Sequence, residues 1–199
     1  MFSKPIKGFT LVELLIVIAI LAVLLSAVVI VLNPSEFLAQ ARDSKRIGEL
    51  DNLSKAVTLY SNSVVGGYKG EADTVYISIP DTSPTCDNLL SSLPDLSIGW
   101  SYHCVLESDL QKTDGAGWLP INLKALPGGS PFEQLPIDPE NNATANLYFA
   151  YIYGNTGYVL ATTFESEHRA GEAEKDGGND PNRFETGSDL SLWAKALGL

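Results

Sequence analysis

The sequence predicts an α+β fold in which a long N-terminal helix packs by its second half against a small antiparallel β-sheet head. Three observations carry that expectation. An uncharged apolar run extends from Leu14 to Leu32, long enough to cross a bilayer as a helix. Beyond Asn33-Pro34, residues Phe37, Ala41, Ile47, Leu50, Leu53, Val57 and Tyr60 mark one face at mostly three- and four-residue steps, the period of an amphipathic helix. Later, two β-prone runs, 147–153 and 157–164, flank Gly154-Asn155-Thr156, which reads as a hairpin.

Taken in order, the chain opens with a short basic segment, residues 1–8, containing Lys4 and Lys7. The helix is expected from Phe9 to about Ser63, roughly 80 Å at 1.5 Å per residue. It divides into a membrane or assembly half, 9–34, and an amphipathic continuation, 35–65. Pro34 lacks an N–H and crowds the preceding turn, so a kink is expected there. Val65-Gly66-Gly67 supplies the glycines that end helices, leaving 66–199 as a single head. Within the head, 74–79 and 100–106 are strand-like, whereas 107–146 is rich in Pro, Gly, Asp and Asn and reads as turns. Trp100, Trp118, Tyr148, Tyr151, Tyr153 and Tyr158 fit either a ligand groove or, as aromatics on alternating strand positions do more often, sheet face and core.

Composition narrows the function. The net charge is −11, and loss of Lys4 and Lys7 with the leader would make it −13, which disfavours nucleic-acid binding by this chain alone. The one basic cluster, Arg42, Lys45 and Arg46, is interleaved with Asp43 and Glu49 and reads as a solvated or intersubunit ion-pair face. No nucleophile motif, phosphate loop or metal-helix motif is present, so the expected class is structural and not enzymatic. Lys4 and Lys7 precede the apolar run, which keeps the leader cytoplasmic and sends the head outside. In an exported head, Cys86 and Cys104 are most simply read as a disulfide, with a pair of buried thiols as the alternative.

Glu13 is the most telling residue, because a carboxylate at the mouth of an apolar span is costly and marks function. It follows Lys7-Gly8-Phe9-Thr10-Leu11-Val12. A secretory signal would have a shorter apolar region and a small-x-small cleavage site, and a plain anchor would explain neither Gly8 nor Glu13. The segment resembles the type IV pilin and pseudopilin family. That resemblance implies cleavage by prepilin peptidase after Gly8, methylation of the Phe9 amine, and an assembly role for Glu13, paired with the Phe9 amine of a neighbouring subunit. The implied partners are other copies, other pilins, the peptidase and a membrane assembly platform. The implied location is the bacterial inner membrane, then an extracytoplasmic filament.

The head is similar, more loosely, to that of the major pseudopilins of type II secretion. Asp138-Pro139, the aromatic hairpin and a late Gly/Asp-rich loop carry the likeness. In those heads the late loop binds calcium, which implies Asp176, Asn179, Asp180 and Asp189 as ligands here. Pro181-Asn182-Arg183-Phe184 interrupts the loop and brings a positive charge, so a metal-free polar turn stands beside calcium, and no cofactor is required. A filament subunit is the leading reading. The alternative is a membrane-anchored binding module or minor tip pilin that forms no bulk filament.

Overall fold

A computed structural model describes residues 8–199, with the side chains at 27, 30–32 and 170 outside that description. The leader expected over residues 1–8 therefore lies, up to Lys7, outside the described residues. Helix α1 spans Leu11–Leu32 and helix α2 spans Pro34–Ser63. Between them Asn33 takes the left-handed conformation (φ 41°, ψ 74°), which asparagine tolerates better than most residues. Pro34 then sits at the first position of α2, where its missing N–H costs nothing. Asn33 O accepts from Glu36 N at 3.1 Å and so starts the second helix. The expected kink is thus a full break between two helices.

The chain divides into two compact units, one ending at Leu38 and the other spanning Ala39–Leu199. The second unit holds a five-stranded sheet in the order β2-β1-β3-β4-β5. Its strands are β1 (Thr74–Ile77), β2 (Ser101–His103), β3 (Ala150–Gly154), β4 (Gly157–Thr162) and β5 (Phe184–Gly187). β3 and β4 form the expected hairpin, pairing from Ala150↔Ala161 to Gly154↔Gly157. The sheet is mixed, because β2 runs parallel to β1. This corrects the purely antiparallel expectation: a long disulfide-tied connection separates the two strands, long enough for a crossover that a hairpin could not make. β5, α3 (Glu167–Ala173) and α4 (Ser191–Leu197) extend the architecture past the elements expected from sequence.

Strand alternation sorts the core into two layers. Tyr76, Phe149, Tyr151, Tyr158 and Leu160 face Leu50, Leu53, Val57 and Tyr60 of α2 together with Trp118 and Ile121. Val75, Ile77, Ala150, Ile152, Val159 and Ala161 face the opposite side, where Leu192, Trp193 and Ala196 of α4 and the cysteine pair lie. Each fully buried large apolar side chain contributes about 1.5–3 kcal/mol, so α2 is held by its apolar stripe from Leu50 to Tyr60. Upstream, the buried positions of α2 are Ala39, Asp43 and Arg46, whereas Phe37 is 59 % exposed and Ala41 is also exposed. α2 ends at Ser63, and just beyond it Gly67 passes close to Tyr60; a Cβ there would meet the Tyr60 hydroxyl at 2.5 Å.

Candidate functional site

Thr10 caps α1. Glu13 N donates to Thr10 Oγ1 at 3.2 Å, while Thr10 N and Oγ1 donate to Glu13 Oε2 at 2.9 and 2.8 Å. This reciprocal pair is a capping box, so Thr10 and Glu13 start the helix and fold the carboxylate back toward the end where Phe9 stands. Gly8 is exposed, lacks a positive φ, and has open space where a Cβ would be. Among the described residues nothing calls for glycine at that position. Every described side chain from Leu11 to Ser26 is exposed, and a helix apolar on all sides needs lipid or other helices around it. Among the described residues no helix is long and apolar enough to cross a membrane. The span expected over 14–32 runs through positions 27 and 30–32, whose side chains are outside the described residues.

The basic cluster of α2 is not a solvated face. Arg46 is fully buried; its Nε and Nη2 donate to the two Asp138 oxygens at 2.6 and 2.8 Å, and its Nη1 donates to Asp43 at 2.8 Å. Asp43 in turn accepts from the backbone N–H groups of Glu165 and Ser166, both at 2.9 Å. Arg42 adds a two-pronged contact to Glu165, with Nε to Oε2 at 2.7 Å, and that contact, with Arg46 behind it, holds the Glu165 carboxyl below its ordinary range. Lys45 alone keeps the expected surface role, 3.6 Å from Glu49. A guanidinium buried in water-free surroundings needs paired, hydrogen-bonded carboxylates, and Asp138 provides one from 92 residues away.

Cys86 and Cys104 are joined, with Cα atoms 5.3 Å apart, and both are buried. Cys104 N also donates to Pro84 O at 3.0 Å, so the bond closes the 86–104 loop onto the end of β2. The four suggested calcium ligands are not gathered together. Asp189 lies past the far end of β5, where Thr156 Oγ1 donates to its Oδ2 and Ser191 Oγ donates to its Oδ1 at 2.6 Å. The Asp180 oxygens are occupied by Asn182 N at 2.9 Å and Trp193 Nε1 at 3.0 Å.

Asp176 instead meets a residue that sequence reasoning missed. Glu185, 2 % exposed, has neither carboxylate oxygen in a hydrogen bond. Its backbone N–H donates to Asp176 Oδ2 at 2.6 Å, and Gly178 N donates to Asp176 Oδ1 at 2.7 Å, so both Asp176 oxygens also accept from the main chain. A Cβ built on Gly178 would meet Glu185 Oε2 at 2.2 Å and Asp176 Oδ1 at 3.0 Å, so glycine leaves the room in which the two carboxylates approach one another. Burial first, and then the charges of Asp176 and Asp180, push the Glu185 carboxyl up to about 7; the N–H groups of Asn179 and Asp180 face it without hydrogen-bond geometry and offset this in part. An orphaned buried carboxylate beside a second one is a donor set suited to a hard cation. Among the described residues no group of three or more His, Cys, Asp or Glu side chains is arranged to hold a metal, so the side-chain donors of any cation here are this pair alone.

Comparison with known proteins adds one finding. No curated protein and no solved structure matches the chain. Residues 3–29 match the prokaryotic N-terminal methylation motif, and the chain therefore carries, around Gly8, Phe9 and Glu13, the prepilin-type signature of type IV pilins and pseudopilins.

Proposed function

We propose that this chain is the precursor of a structural filament subunit of the type IV pilin or pseudopilin kind. Prepilin peptidase cuts between Gly8 and Phe9, the Phe9 amine is methylated, and α1 holds the subunit in the cytoplasmic membrane until other copies or other pilins take it up. The single observation that carries this reading is the methylation motif set on a helix whose described surface is apolar all round. Within a filament, the Glu13 carboxylate pairs with the Phe9 amine of a neighbour. A charge-assisted bond of that kind is stronger than a neutral one, and the apolar faces around it supply cohesion. The peptidase accounts for glycine at position 8, where no described residue requires it.

N-terminal sequencing and intact mass of membrane-extracted protein test the proposal. The expected product starts at methylated Phe9, and Gly8→Val leaves full-length, unassembled protein; a mature start at Met1 or beyond Leu32 overturns the reading. Glu13→Gln separates the alternatives, because a plain membrane-anchored binding module tolerates the change and a filament subunit stops assembling. The second element of the proposal is a calcium ion at the late loop, with Asp176 and Glu185 as its side-chain ligands. The buried, unpaired state of Glu185 supports it.

A further inference from the structure

Between the last turns of α2 and the β3–β4 hairpin lies a cleft of about 320 Å³, within the size range of small-molecule sites. α2 contributes Thr58, Ser61 and Asn62, the hairpin contributes Tyr153 and Asn155, and Lys69 enters from the connection after α2. Among the described residues no carboxylate lines this cleft, although 24 side chains of the chain are acidic.

Lys69 differs from most of the described lysines beyond α1, and unlike Lys175 it lines a cleft. Lys45, Lys55, Lys112 and Lys124 each have a carboxylate within salt-bridge reach. Lys69 has none among the described residues; its Nζ stands 5.6 Å from the centroid of the Tyr153 ring. Its main chain is fixed, because Tyr151 Oη donates to Lys69 O at 2.8 Å, and Gly70, at φ +126°, threads between Tyr76 and Tyr153 where a Cβ would be crowded. Thr58 is oriented by a 2.8 Å hydrogen bond to the Tyr158 hydroxyl. The carboxylates nearest along the chain to the lining residues are committed elsewhere: Glu71 accepts from Tyr68 Oη at 3.0 Å, and Asp189 from Thr156 and Ser191, with Lys195 at 3.9 Å.

Hydroxyls and amides that both donate and accept suit a polyhydroxylated ligand. A tyrosine ring offers a flat apolar wall to a sugar face, and a lysine without a carboxylate partner adds a preference for negative charge. We propose that this cleft binds one sugar unit carrying a carboxylate or a phosphate. The inference rests on the head alone and stands apart from the filament reading.

The test uses full-length protein in micelles of a detergent without a sugar headgroup, titrated calorimetrically with glucuronic acid, glucose 6-phosphate, glucose and inorganic phosphate. The two acidic sugars are expected to bind with Kd on the order of 1 mM, about tenfold more tightly than glucose, the equivalent of a single charge-assisted contact. Lys69→Gln should erase that preference, Lys69→Arg should keep it, and Asn62→Leu, at an exposed position, should weaken every sugar. Failure of both acidic sugars to bind overturns the proposal. So does inorganic phosphate binding as tightly as they do, or a preference that survives Lys69→Gln in protein with an unchanged melting curve.

Discussion

Replacing Asp138 with alanine is expected to loosen α2 from the head more than any truncation of comparable size on the surface. Asp138 is 2 % exposed and receives both prongs of Arg46, at 2.6 and 2.8 Å. It also accepts the backbone N–H groups of Glu140 and Asn141, at 2.9 and 3.2 Å. Alanine leaves the guanidinium buried with Asp43 at 2.8 Å and Glu165 at 3.4 Å. Removing one partner of a buried ion pair costs about 3–5 kcal/mol, and the remaining contacts to Asp43 favour the lower half of that range. Urea unfolding of a fragment covering residues 36–199, followed by circular dichroism, should show a reduced midpoint at unchanged slope. The pair Arg46→Met with Asp138→Leu should lose less than the sum of its single changes, because an apolar replacement leaves no charge stranded. A loss below about 1 kcal/mol for Asp138→Ala, the scale of an exposed salt bridge, would refute the claim that this node secures the helix.

Three further outcomes follow from the same unit. Calcium should raise the melting temperature of the metal-stripped fragment, chelator should reverse it, and Glu185→Gln should abolish the shift; a hundredfold excess over Kd corresponds to about 2.7 kcal/mol, and indifference to calcium returns the loop to a polar turn. Glu165 has a folded pKa held below its ordinary 4.5 by Arg42, so its contribution is present above that value and lost as pH falls through the depressed one; Glu165→Gln should flatten the acid limb of a stability–pH curve, and an unchanged limb would show that the contact is screened by solvent. Reducing Cys86–Cys104, a bridge spanning 18 residues, should cost about 3 kcal/mol by the loop-entropy estimate, read as a lowered urea midpoint, and equal midpoints with and without reductant would assign the staple no role in stability.

Much of the fold was legible because its signals are local. The hairpin announced itself through a β-prone run, a Gly-Asn-Thr turn and a second run, and its register needs nothing beyond those residues. The apolar stripe from Leu50 to Tyr60 was equally clear, since the helical period alone places it on one face. β5 was hidden: its four residues, Phe184 to Gly187, carry a glutamate and a threonine, and a four-residue edge strand among Gly, Asp and Asn has too short a pattern to stand out. The parallel placement of β2 was hidden for another reason, because strand direction depends on the path of a long connection and not on the strand's own residues.

The candidate sites divide along the same line. The methylation motif over residues 3–29 was legible because it lies within one stretch of chain, with Glu13 conspicuous against an apolar background. Arg46 and Asp43 looked like surface charges because period-based reading assigns polar residues to the solvent side; their burial becomes reasonable only when Asp138 and the Glu165-Ser166 main chain arrive from more than ninety residues away. Asp138 was noticed through resemblance, and the structure supplies its physical reason. Glu185 gave even less warning, since among many carboxylates in an acidic chain only three-dimensional burial distinguishes the one without a partner. The apolar stripe from Leu50 onward could slide by a turn at modest cost, for hydrophobic contact has little directionality, whereas the two-pronged Arg46–Asp138 contact fits one axial position of α2. The charged half of the helix therefore sets its register, and the apolar half supplies most of its binding to the sheet.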